Sequence, residues 1–199
     1  MTFGNAIRAG NEVDVSRLLC QHGLELMNAK LSLHIVLNID ATLTPPASRR
    51  ESLVQVTSSI LKQNCNSSQN GSITVTPFQL GLLAQHRHII KILMERIMEI
   101  KDTDSQLKWM ENILGSKTSL VIPNNAAQCD KDTLSLNGIN AFHLATRYDP
   151  MALKEIVCIL NEKHMIPRLK DLLNEQDSNR KWTPLHIGAK CVSIEAVRY

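Results

Sequence analysis

The chain has 199 residues, 43% hydrophobic and 21% charged, with a net charge of +3 from 22 basic and 19 acidic side chains. That composition belongs to a globular chain of one or two domains and excludes a charged disordered tail as its main content. The balance of charge argues against a strongly cationic nucleic-acid binder, and 4% aromatic residues leave little with which to stack bases or sugars.

The amino-terminal run from Met1 to Arg8 lacks the apolar centre of a secretory signal. Leu31-Ser32-Leu33-His34-Ile35-Val36 is the first short apolar segment, and an amphipathic stretch, Glu51 to Leu61, follows it. Between them lies a stretch with Pro45-Pro46, and after them an Asn- and Ser-rich stretch around 65–71 with two sequons, at Asn66 and Asn70. Thr76-Pro77-Phe78-Gln79-Leu80-Gly81 comes next, followed by amphipathic His88 to Met98. No apolar run reaches the roughly 18 residues a membrane span needs; the best, Ile89 to Ile100, is broken by Lys91, Glu95, Arg96 and Glu99. Residues 102–133 then contain one predicted helix, Ser105 to Leu114, with Trp109 in it. Asn140-Ala141-Phe142-His143-Leu144-Ala145 precedes amphipathic Ala152 to Leu160, and Glu162 to Leu172 reads as a lengthening of that second helix. Last, Trp182-Thr183-Pro184-Leu185-His186-Ile187-Gly188-Ala189 precedes Ile194 to Tyr199.

Four segments thus share one plan: a polar cap, an apolar residue at each of two positions two apart, and a second amphipathic stretch after a turn. Thr-Pro suits a helix start, because Thr accepts from exposed main-chain N–H groups and Pro gives up an N–H that has no intrahelical partner. The His two residues after Pro can bond neighbouring main chain through its ring nitrogens and tie one unit to the next.

Thr183-Pro184-Leu185-His186-Ile187-Gly188-Ala189 resembles the T-P-L-H-x-A core of the ankyrin repeat. Thr76 to Glu95 aligns with the same pattern without a gap; His86 stands at the family's turn histidine and Gln85 replaces its glycine. Ala6 to Asn11, with Val15 and Leu18-Leu19, resembles a further unit whose turn glycine is Gly10, closed by His22-Gly23. Asn174 and Asp177 resemble the hairpin residues before the last unit. The resemblance implies about five units, near 2–28, 30–63, 74–100, 136–163 and 177–199. The family period is about 33 residues, whereas His143 to His186 is 43 and Gln79 to His143 is 64. Insertions near 38–50, 64–72, 101–135 and 162–173 account for the difference and are expected as loops on one side of a stack. The expected fold is all-α, an ankyrin-repeat solenoid of helix–turn–helix units with short hairpin tips, and Tyr199 falls within a second helix, as in a fragment of a longer chain.

Catalytic signatures are absent from the sequence. It contains no G-x-S-x-G, H-E-x-x-H, phosphate-binding loop or dinucleotide fingerprint, so the chain is expected not to be an enzyme and to need no cofactor. Five scattered cysteines (20, 65, 129, 158, 191) form no C-x-x-C pair; reduced thiols inside a cell are expected, with Cys158 and Cys191 buried. His86 and His88 lack the further ligands a metal needs, and Asp102 reads as a helix cap.

The resemblance therefore implies a cytoplasmic scaffold or adaptor in signalling that binds other proteins. It implies neither nucleic-acid binding nor a membrane span within these residues. Its groove would be lined by Leu83 and Ala84, Arg147 and Tyr148, and Lys190 and Cys191, and its last hairpin tip by Arg180, Lys181 and Trp182. Arg147, Tyr148, Arg180, Lys181, Trp182 and Lys190 are the candidate contact residues. Two rivals are the cytosolic amino-terminal array of a membrane protein, such as a channel of the transient receptor potential class, and an inhibitor-of-NF-kappa-B-like regulator.

Overall fold

A computed structural model describes residues 2–35, 71–121 and 136–190. The predicted helix at Glu51 to Leu61, the insertion at 38–50, the sequon-bearing stretch before Gly71 and the final segment 191–199 with Cys191 lie outside the described residues.

The first helix pair is α1 (Phe3–Arg8) and α2 (Glu12–His22), capped by Thr2, which accepts from Asn5 N, and by Asn11, which accepts from Asp14 N. Gly10 turns the chain between them at φ +65°, and a Cβ there would stand 3.0 Å from the His86 ring. A short 3-10 helix, Leu24–Asn28, leads into strand β1 (Leu31–Ile35). Strand β2 (Gly71–Val75) leads into α3 (Pro77–Leu83), whose seven residues are all buried. Thr76 and Gln79 close the start of α3 in a reciprocal capping box. Gly81 lets α4 (Arg87–Met98) approach α3, since a Cβ there would meet Ile90 Cδ1 at 2.8 Å. Gln85, where the ankyrin pattern has glycine, adopts φ +57°; its Nε2 donates to Tyr148 O at 2.9 Å, a contact glycine could not make.

Helix α5 (Thr103–Gly115), capped by Asp102, and strand β3 (Ser119–Val121) follow. The third pair is α6 (Ala141–Tyr148) and α7 (Pro150–Glu162); then come α8 (Ile166–Leu173) and α9 (Pro184–Lys190). Helix α3 packs between α1 and α6, and α6 packs between α3 and α9. The second helices make a parallel series of contacts, α2 on α4 and α4 on α7. The turns between paired helices also bind one another: His86 Nε2 meets Arg8 O at 3.1 Å, His88 Nε2 meets Gly10 O at 3.0 Å, and Arg87 Nε donates to both Asp149 oxygens at 2.9 Å.

Mostly helical, the described chain nevertheless departs from an all-α fold. A three-stranded antiparallel sheet, ordered β1-β2-β3, pairs Leu33 with Ile73 and Ile73 with Leu120. Leu31 to Ile35, expected as the first helix of a repeat, is one of its strands; the apolar–polar alternation of Leu31-Ser32-Leu33-His34-Ile35 matches the period of two that a half-buried strand requires. Leu33, Ile73 and Val75 carry its apolar face into the core. The 101–135 insertion is also more than a surface loop, since α5 buries Met110, Ile113 and Leu114, and Thr118 bonds main chain at Leu136 and Ile139. Likewise 162–173 holds a separate helix rather than a lengthened α7: the chain turns at His164 with φ +54°, and α8 then buries Leu169.

Candidate protein-binding surface

Gln79 and His143 hold the third position of α3 and α6 and make the same two kinds of bond. Gln79 Oε1 accepts from Thr76 N at 2.9 Å, while Gln79 Nε2 donates to Ser116 O, 37 residues on, at 2.5 Å. His143 Nδ1 faces Asn140 N at 3.4 Å, while His143 Nε2 donates to Trp182 O, 39 residues on, at 3.0 Å. One end of each side chain secures its own helix and the other grips a main-chain carbonyl of a later segment. His143 is buried, and that burial holds its imidazole below its ordinary pKa, against the opposing pull of the Trp182 carbonyl, Asp177 and Glu175.

Trp182 O also accepts from Asp177 N at 2.8 Å, and the Asp177 carboxylate accepts from Arg180 N at 2.5 Å. This closes a tight turn from 177 to 182, with Lys181 at its exposed tip in the left-handed region, φ +57°. The turn fixes the half-buried Trp182 side chain. Arg180 Cζ and Lys190 Nζ each stand 5.1 Å from the centre of its indole ring. A guanidinium and an ammonium over one indole are drawn to the negative face of its π system. Trp182 thus gathers two cations from the turn and from the end of α9. Asp177 is buried in the turn, and Glu175 holds Lys117 Nζ at 2.8 Å and Asn140 Nδ2 at 2.9 Å.

Helix α9 starts at the Thr183-Pro184 cap, where the Thr183 hydroxyl lies 2.7 Å from His186 Nδ1. It buries Pro184, Ile187 and Gly188 and leaves Leu185, His186, Ala189 and Lys190 exposed. Leu185 is 59% exposed, so it does not fill the packed position that its place in the pattern predicts. Its exposure beside Ala189, one turn on, is legible from helical spacing only once the buried face of α9 is known.

The other candidates divide. Arg147 is half-buried, with Cζ 5.4 Å from the centre of the Tyr148 ring. Tyr148 is only 6% exposed and belongs to the core, as does Leu83, while Ala84 is half-buried. The expected aromatic anchor of a groove is therefore packing: α6 is covered by α3 on one side and α9 on the other, and every residue of α6 except Arg147 is buried. Arg180 and Lys190 meet at Trp182, and Lys181 is exposed in the adjoining turn.

Thiol expectations also change. Cys158, expected to be buried, is exposed on α7 because Ile156 and Leu160 take the inward positions of that helix. Cys20 is exposed as well, with Arg96 Nη2 2.5 Å from its sulfur. Among the described residues no three His, Cys, Asp or Glu gather as metal ligands, and no helix is long and apolar enough to cross a membrane. No protein-family model matches the chain, and no curated protein or solved structure matches it.

Proposed function

We propose that the chain is a non-catalytic protein-binding module of ankyrin-like stacked helix pairs, acting as an intracellular scaffold or adaptor, with its contact surface around Trp182. The observation that supports this reading is the repeated bridge at Gln79 and His143, a bond inside one helix start coupled to a bond to a main-chain carbonyl of a later segment. Repetition of a joint is what a stack of units needs when no unit can bury its apolar face alone. The His143 bond ends on Trp182 O, so it also anchors the main chain under the partly exposed Arg180–Trp182–Lys190 cluster. Arg and Trp on a rigid support are favoured interface anchors, because little side-chain freedom is lost on binding. The small sheet and α5 are additions to the repeat plan, and α5 packs against α4, α6 and α8.

The test is retention of partner proteins on the immobilised 199-residue chain, read by mass spectrometry. Wild-type chain is expected to retain a defined set of proteins, and the variant carrying Arg180→Glu, Lys181→Glu and Lys190→Glu to lose it with an unchanged circular dichroism spectrum. Equal retention by both, or hydrolytic or transferase activity in the purified chain, would overturn the assignment.

A further inference from the structure

We draw no further inference here: the strongest candidate, the open cleft at the ends of α2 and α4 where the Cys20 thiol meets Arg96 beside Leu24 and Ile100, rests on a lone cysteine, and no second observation among the described residues points to a ligand there.

Discussion

His143 joins stability to pH at the level of a single residue. Its ring is buried between its own helix cap and the Trp182 carbonyl, and burial lowers its pKa below the ordinary 6.5. Unfolding restores the ordinary value, so just below pH 6.5 the unfolded chain binds the proton more readily than the folded one. Stability from this group is therefore complete above about pH 6.5 and falls as pH drops toward the depressed folded value. Gln79 makes the equivalent bonds with an amide that does not titrate. His143→Gln is expected to keep the joint while flattening the decline of the urea midpoint between about pH 7 and about pH 5. His143→Ala, which removes the bond to Trp182 O, is expected to cost about 1–3 kcal/mol at neutral pH. The sequence marked His143 as a structural histidine, but only the fold names its acceptor, because Trp182 lies 39 residues away.

Helix starts and strands show where elements gain their support. Asp149 caps α7 by accepting from Ala152 N at 3.1 Å and also holds Arg87 across the turn. Its carboxylate is 2% exposed while the Arg87 side chain is 50% exposed, so solvent screens one partner and not the other. Arg87 is held charged chiefly by its hydrogen bond to Asp149. Asp149→Ala removes cap and ion pair together and is expected to lower stability by about 1–3 kcal/mol in thermal melts. Asp149→Asn retains an acceptor for the cap and is expected to cost less; equal losses would mean that the cap contributes nothing. Thr76, Asn140 and Asp102 announce their helices from the sequence, since capping acts over three residues. Strand β1 does not announce itself in this way. Five residues fit both a helical and a strand period, and the partner that decides, Ile73 for Leu33, lies 40 residues on.

Across the molecule, burial separates positions that the repeat pattern treats alike. Phe142 and Leu185 each stand one residue before the corresponding histidines His143 and His186, yet Phe142 is fully buried, as is Leu144 two residues on, and Leu185 is 59% exposed. Leu144→Ala is expected to cost about 2–5 kcal/mol and Leu185→Ala well under about 1 kcal/mol, measured as urea-unfolding free energies. Comparable losses would show that Leu185 is covered in solution. The same contrast separates two expected contact residues, Tyr148 and Trp182: α9 covers the helix of Tyr148, whereas Trp182 is half-exposed beside two cations. The amino-acid sequence alone determined the composition, most of the caps, the short paired helices and a helix over Ser105 to Leu114, because those signals act over a few residues of neighbouring chain. Tertiary structure alone decided the strand pairing, the acceptors of Gln79 and His143, the burial of Tyr148, the exposure of Leu185 and the meeting of Arg180 with Lys190. Each of these depends on which faces of distant segments come together, and the order of residues along one segment carries no record of what will lie against it.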